Sequence, residues 1–302
     1  MNETTFYHLP VLLHDCIEQL QIIPDGVYLD ATFGGGGHSK AILDLLGPKG
    51  KLIVFDQDAD AIQNAPKDAR LVFINENFRY ASRFVRFYKF SKLDGVLADL
   101  GVSSFQFDTA ERGFSIRYDA PLDMRMDQRN PISAVDILNN YSEQKLQKIF
   151  EQYGEVTNST ILAKRIVDCR ASMKIKTINE FKQAISACIY GNPNKYLAQV
   201  FQAIRIEVND ELNALKEFLQ TITEVLQPNG RLCVITFHSL EDRIVKQWMK
   251  EETFATEEID WMLPSKKKTI KNITKKPILP STEEQHKNPR SRSAKLRVAV
   301  KI

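Results

Sequence analysis

Cysteine is scarce: Cys16, Cys169, Cys188 and Cys233 stand far apart in 302 residues, with no C-x-x-C pair. That spacing argues against a disulfide framework or structural zinc, and for a reducing compartment. The five histidines show no ligand spacing either, so no metal is expected. No G-x-x-x-x-G-K-[S/T] phosphate loop occurs, which excludes a P-loop nucleotidase. No apolar run approaches the ~18 residues of a membrane span. The start carries acids and Pro10 rather than a basic-then-apolar leader, so the chain reads as lacking a secretory signal and as cytoplasmic.

What is present is ordinary in bulk and specific in detail. A hydrophobic content of 43% over 302 residues suits a sizeable core, in two domains or in one large domain with an insertion. From Val27 to Ser39 an apolar run ends in Asp30, passes through four glycines (Gly34 to Gly37) and enters a helical pattern over 40–46. This is a strand, a tight turn and a helix start, the place where an open α/β sheet holds a nucleotide-like cofactor. Twenty residues beyond Gly36, a second buried-strand pattern ends in Asp56, a carboxylate suited to a ribose with two hydroxyls. The pair reads as an adenosine pocket. A dinucleotide fingerprint would need a glycine where Ser39 stands. Asp30 would repel a pyrophosphate but could accept from the ammonium of an amino acid. Adenosine with an amino-acid tail and no phosphate describes S-adenosylmethionine.

Residues 27–30, 52–56, 71–74 and 93–99 are short apolar runs of the fully buried kind, separated by helical patterns, although residues 78–90 are ambiguous. This alternation implies a parallel, doubly wound sheet. The rhythm breaks from about Asp108 to Lys195, where no strand pattern appears. A Gly/Pro/Asp/Arg-rich stretch is followed by helical patterns that Ser142 and Thr177 can cap. We therefore expect a helical insertion after the fourth strand, over 108–196, between two parts of a cofactor domain at 1–107 and 197–302. The α/β pattern resumes with helices over 197–207 and 211–226 and a strand over 231–237. Ser239 and Asp242 have capping-box spacing for the next helix. Alternation over 296–302 predicts a half-buried terminal strand.

Charge is unevenly spread. Residues 262–302 hold 12 Lys/Arg and two acids, a balance of +10, whereas the remainder holds 29 basic against 36 acidic residues, or −7. A basic tail on an acidic body points to a polyanionic partner, with a solvated loop as the bland alternative.

Several blocks occur in one order. They are Phe-Gly-Gly-Gly-Gly-His-Ser at 33–39, Asp-Leu-Gly-Val-Ser-Ser at 99–104, Arg-Gly-Phe-Ser at 112–115 and Pro-Leu-Asp-Met-Arg-Met at 121–126. Phe-Gln-Ala-Ile-Arg-Ile at 201–206, Phe-His-Ser-Leu-Glu-Asp-Arg at 237–243 and Asn-Pro-Arg-Ser-Arg-Ser-Ala at 288–294 follow. From His8 to the terminal strand the chain resembles the bacterial 16S rRNA (cytosine-N4)-methyltransferase family, RsmH/MraW. The resemblance implies a Rossmann-like S-adenosylmethionine-dependent domain interrupted by a helical domain, acting on a cytosine in the decoding region of small-subunit rRNA. It implies cofactor contacts at Gly36, Gly37, His38, Asp56, Phe78, Asp99 and Gln106. It points to an assembled small ribosomal subunit as substrate and allows a homodimer.

Asp99, at the end of the fourth strand, lies where a transferred methyl group must meet its acceptor. Many amino-methyltransferases place a polar residue, two prolines and an aromatic there; this chain has neither the prolines nor the adjacent aromatic. Asp99 is the candidate amine acceptor, with Ser103 and Ser104 beside it and Phe105, Phe107 or Phe114 as candidate stacking partners; a turn carboxylate and core packing are the structural alternatives. Methylation on carbon would need a cysteine nucleophile, and none lies at an expected strand end near the cofactor. His238 is a further catalytic candidate. Arg243, Arg290 and Arg292 are candidate RNA contacts. The rivals are a small-molecule methyltransferase, a catalytically silent RNA-binding protein and a nicotinamide oxidoreductase. The basic tail, the intact glycine loop with Asp56, and Ser39 weigh against them in turn.

Overall fold

The computed structural model describes residues 10–90, 92–254 and 267–302; residues 262–266 of the basic tail, and His8 and Leu9, lie outside them. The chain divides into two compact units, 1–101 with 212–302 and 102–211.

The first unit is built on a seven-stranded sheet of order β3-β2-β1-β4-β5-β7-β6. Its strands are β1 (Val27–Asp30), β2 (Lys51–Phe55), β3 (Leu71–Ile74), β4 (Leu93–Asp99), β5 (Leu226–Thr236), β6 (Ile270–Asn272) and β7 (Lys295–Lys301). The first five run parallel; β7 and β6 are antiparallel additions at the edge. The order reverses between β1 and β4, the crevice where open α/β sheets take ligands. Helices α1 (Leu13–Leu20), α2 (Gly37–Leu45) and α3 (Ala81–Phe87) accompany the early strands. The fold is thus Rossmann-like and doubly wound, as its apolar runs imply.

Continuous apolar strands are needed because both faces of the sheet are covered. Leu29, Ile53 and Phe55 enter one core, together with Phe218 and Trp248. Tyr28, Leu52 and Val54, their alternates along the same strands, enter the other with Ile42 and Leu296. The ambiguous stretch after β3 resolves into a 3-10 turn (Phe78–Tyr80), capped by Asn77, and α3, which buries only Ala81, Ser82 and Val85.

The second unit has its own core, which includes Phe150, Phe181 and Phe201. Its helices are α4 (Ser104–Asp108), α5 (Ala134–Asn140), α6 (Glu143–Gln152), α7 (Ser159–Ser172), α8 (Ile178–Ile185) and α9 (Pro193–Asn209). Ser142 caps α6, and Thr177 forms a full capping box with Glu180 at α8. This unit is wider than the expected 108–196. Leu197, Val200, Phe201 and Ile204 of α9 bury themselves in the helical core, so a helix that continues the α/β rhythm in sequence belongs to the insertion. Helix α10 (Glu211–Ile222) leads back to β5, and α11 (Ser239–Glu251) and α12 (Thr282–Lys287) complete the chain.

Two expectations fail in the last hundred residues. Strand β5 begins at Leu226 and absorbs Pro228-Asn229-Gly230, with a register irregularity against β4. Strand β7 is not half-buried: Leu296, Arg297, Val298 and Ala299 are all buried. The basic residue tolerates this because Arg297 Nε donates to Asp242 Oδ1 at 2.6 Å and Nη2 donates to Oδ2 at 3.2 Å. Burial alone would raise the Asp242 carboxyl; Arg297 and Lys295 outweigh it and hold the group below its usual range. Its stabilising effect is therefore full at neutral pH and lost as pH falls through the depressed folded value. Asp242→Ala leaves a buried guanidinium unpaired and is expected to cost about 3–5 kcal/mol at pH 7, read from urea unfolding, with the gap to wild type closing in acid. A loss under about 1 kcal/mol, the range of surface pairs, would show that the pair does not hold β7.

Candidate active site

The carboxyl ends of β1, β2 and β4 bring Asp30, Asp56 and Asp99 to one edge of the first unit. Between them runs the glycine turn. Gly34 and Gly36 adopt left-handed backbone (φ +52° and +75°), and a Cβ on Gly36 would meet the Phe33 ring at 2.8 Å. A Cβ on Gly37 would lie 2.2 Å from Pro10 Cγ. At Gly35, by contrast, a Cβ would meet nothing within 4 Å. Room for a ligand is thus the property of Gly35, while Gly36 and Gly37 are demanded by the chain itself.

Asp30 does not meet a ligand as expected. It is 1% exposed; the Ser39 hydroxyl donates to its Oδ2 at 2.6 Å and Thr32 N donates to Oδ1 at 3.1 Å. Burial raises its pKa, and these hydrogen bonds and His38 oppose the rise. Ser39, the residue that spoils the dinucleotide fingerprint, is what anchors Asp30 to the first turn of α2. No feature of the sequence pairs the two until the turn is built.

Asp56 is half-buried and receives one backbone N–H on each oxygen, from Gly34 and Asp58, both at 2.8 Å. Each oxygen keeps a lone pair for a further donor. Burial pushes this carboxyl up to about 6, against those two bonds. Phe78 stands close by, because Asn77 Nδ2 donates to Gln57 Oε1 at 2.7 Å. Its ring is set edge-on to Phe218 with centroids 5.3 Å apart.

Asp99 is held by its backbone, whose N–H donates to Thr32 Oγ1 at 2.7 Å. Among the described residues its Oδ1 is buried and has no hydrogen-bond partner. Its Oδ2 lies 3.7 Å from His38 Nδ1. Burial, then the charges of Asp30 and Glu241, raise the Asp99 pKa well above the carboxylate range. His38 is buried, and burial lowers its pKa. A neutral imidazole whose Nε2–H donates to the Val11 carbonyl at 3.0 Å turns the Nδ1 lone pair toward Asp99. Burial thus favours the uncharged forms of both the Asp99 carboxyl and the His38 imidazole.

The other expected residues fall into place less directly. His238 is the N-cap of α11, in a capping box with Glu241. Ser239 and Asp242 do not cap, because the helix starts one residue earlier than their spacing implies, and Asp242 is committed to Arg297. The Glu241 carboxylate accepts from Phe237 N at 2.8 Å, and its other oxygen lies 3.1 Å from His238 Nε2. Ser103 caps α4 reciprocally with Gln106, which is buried; both belong to the second unit, as does Ser104. Of the three phenylalanines considered for stacking, Phe114 is in the helical core, Phe107 is partly buried against it and Phe105 is 50% exposed. Arg243 and Arg292 are exposed, and Arg290 is half-buried. Thr32, Ser39, Asn77 and Glu241 support the site without having been legible as its parts.

The model of the MraW methylase family matches residues 5–302. The chain is 52% identical over 303 residues to "Ribosomal RNA small subunit methyltransferase H" of Flavobacterium johnsoniae, covering 100% of both chains. It is 50% identical over 297 residues to the protein of the same name from Christiangramia forsetii, covering 98% of each. A solved rRNA methylase from Streptococcus thermophilus aligns at 11% identity and a TM-score of 0.42, covering 98% of this chain and 99% of that one, too loosely to add to the topology above.

The division of labour among the glycines is testable by unfolding. Gly36→Ala should cost about 1–2 kcal/mol for its left-handed backbone, whereas Gly35→Ala should stay within about 0.5 kcal/mol of wild type. The opposite order would reverse the assignment of open space.

Proposed function

The chain belongs to the MraW methylase family and is an S-adenosylmethionine-dependent methyltransferase; we propose that it methylates small-subunit 16S rRNA, at N4 of a cytosine in the decoding region. The relatives' small-subunit activity supports the RNA. The observation that carries the chemistry is the buried Oδ1 of Asp99 at the end of β4, which has no hydrogen-bond partner among the described residues.

The residues fit the methyl donor. Asp56 has lone pairs to spare for two ribose hydroxyls, Phe78 stands beside it for the adenine, and Gly35 leaves the loop open. Gly36, Gly37 and His38 line the turn toward the amino-acid end. Gln106, from the second unit, is assigned to the same cofactor by motif. When bound, the cofactor supplies a methyl group on positively charged sulfur.

Asp99 accepts a hydrogen bond from the exocyclic amine, which aligns the nitrogen and increases its nucleophilicity. As the methyl group passed from sulfur to nitrogen, the S–C bond breaking and its electron pair staying on a now neutral thioether, the Asp99 carboxylate would take the proton that the nitrogen sheds. A positive charge in the cradle favours the ionised carboxylate needed for this step. His38 positions Asp99. Ser103 and His238 act as helix caps, each within its own unit, and Ser104 opens the helix that Ser103 caps. Attack through carbon is disfavoured, since burial raises the thiols of Cys16 and Cys188 and pushes that of Cys233 up to about 12. The helical unit and the basic tail, with Arg243, Arg290 and Arg292, hold the RNA. Among the described residues no helix is long and apolar enough to cross a membrane, and a ribosomal substrate sets the reaction in the cytoplasm.

Nucleoside mass spectrometry of small-subunit rRNA, made with and without the protein, tests the reading. N4-methylcytidine should depend on it, and 5-methylcytidine would overturn the route through nitrogen. For the cofactor, Asp56→Ala should weaken S-adenosylmethionine binding roughly 10- to 100-fold, since charge-assisted hydrogen bonds are worth ~1.5–3 kcal/mol. Because the donor needs the ionised form, wild-type affinity should fall as pH drops through about 6 and the alanine variant should lose that dependence; a flat wild-type titration would remove Asp56 from the ribose. Asp99→Asn should lower kcat about a hundredfold or more and abolish its rise with pH, while unaltered turnover would dismiss Asp99 as the proton acceptor.

A further inference from the structure

Residues 78–92 contain six aromatics (Phe78, Tyr80, Phe84, Phe87, Tyr88, Phe90), five cations (Arg79, Arg83, Arg86, Lys89, Lys92) and no acid. The body outside the basic tail carries a net charge of −7, so a run of five cations without an acid goes against its balance. The structure displays it rather than burying it. Phe87 is 76% and Tyr88 51% exposed, although aromatics of this size are usually covered. Tyr88 stacks on Phe84 with centroids 6.2 Å apart and an interplanar angle of 23°, and Phe87 meets Tyr88 edge-on at 5.3 Å. The array is held in shape because Lys89 turns left-handed (φ +54°) and Phe90 N donates back to the Val85 carbonyl at 3.1 Å. Arg86 and Lys92 both bind Glu224, by its carboxylate and its carbonyl. Arg83 and Lys89 are exposed, and among the described residues neither forms an ion pair. Arg83 lies 5.3 Å from the Tyr80 ring centroid.

Exposed π-faces interleaved with solvated cations are what a single-stranded nucleic acid uses: bases stack and phosphates pair, with little sequence preference. A second copy of the chain is a poor occupant, because a two-fold interface would set this basic face against itself. We propose that the end of α3 and the turn after it, centred on Arg83, Phe87, Tyr88 and Lys89, form a docking surface for single-stranded RNA, separate from the reacting base. The seven residues of β4 run between Leu93, beside this turn, and Asp99, a separation of roughly 20 Å at strand rise. The surface therefore anchors flanking RNA and does not touch the methyl transfer. The inference rests on the RNA substrate proposed above.

The test uses the full-length protein, a fluorescein-labelled oligouridylate and purified small-subunit rRNA. F87A/Y88A and R83S/K89S are both surface changes and should melt close to wild type. Each should bind the oligonucleotide at least tenfold more weakly. R83S/K89S should also flatten the dependence on salt, by about 0.7 in log–log slope for each cation–phosphate pair removed. KM for rRNA should rise, with kcat at saturation and S-adenosylmethionine affinity unchanged. Oligonucleotide binding that is absent in wild type, or equal in folded variants, overturns the docking surface. So does a wild-type dimer that dissociates in F87A/Y88A with RNA affinity retained, which would make the face a self-association site. Loss of binding to phosphatidylglycerol vesicles with RNA affinity intact would assign it to a membrane. Failure of the methyltransferase reading shows differently: wild type would leave rRNA unmodified whatever the variants bind.

Discussion

Crowding three carboxyl groups together at the ends of adjacent strands is the constraint from which the working edge of this protein follows. Burial raises the pKa values of Asp30, Asp56 and Asp99, and the charge of Asp30 adds to the rise at the other two. Each is stabilised differently. Asp30 receives a hydroxyl and a backbone N–H, Asp56 two backbone N–H groups, and Asp99 a neutral imidazole at some distance with a bare second oxygen. An unsatisfied buried group costs ~1–3 kcal/mol, so the glycine turn has little freedom. It must deliver Ser39 to Asp30, Gly34 N to Asp56 and His38 to Asp99 at once. The left-handed residues Gly34 and Gly36 are the geometric means of doing so.

The basic tail illustrates how charge counts can mislead about where charge is spent. Its excess of cations suggests a polyanion, yet part of the segment is architecture. Strands β6 and β7 complete the sheet, and Arg297 is consumed by Asp242 under α11. Of the tail's two acids, Glu283 pairs with Lys287, and Glu284 accepts from Leu12 N at 2.7 Å, tying α12 to the start of α1. Arg292 and the lysines around β6 stay on the surface. These, with the half-buried Arg290, are the cations of the tail open to RNA, whereas its structural members would fail a mutational test by unfolding rather than by losing RNA.

The parallel strands were legible because burial on both faces leaves only apolar residues between turn signals, and the acids that end them mark the ligand edge. Where reading failed, a tertiary partner decided. Arg297 looks like the outward residue of a half-buried strand until Asp242 is beside it. The capping spacing of Ser239 and Asp242 is genuine in sequence, but His238 and Glu241 have the same spacing, and Glu241 also satisfies Phe237 N. Helix α9 has the apolar stripe of a sheet-covering helix and joins the insertion because the helical core buries that stripe. Gly37 carries a further demand that its motif does not show, since a Cβ there would collide with Pro10, 27 residues away.

The loop after β4 carries the chemical consequence of the missing prolines. A Pro-Pro-aromatic turn is stiff and presents a carbonyl as acceptor; here Gly101 takes φ +104° beside Phe237, and in the mechanism we propose the acceptor is the Asp99 side chain. A carboxyl can take up the proton that nitrogen sheds, which a carbonyl cannot, but only if it is ionised when the base arrives. Burial and the neighbouring acids oppose that in the free protein. A positively charged methyl donor favours it, so the acceptor becomes competent when the donor is in place. On that proposal the arrangement couples readiness of the base to occupancy of the cradle, through the protonation of Asp99 beside His38.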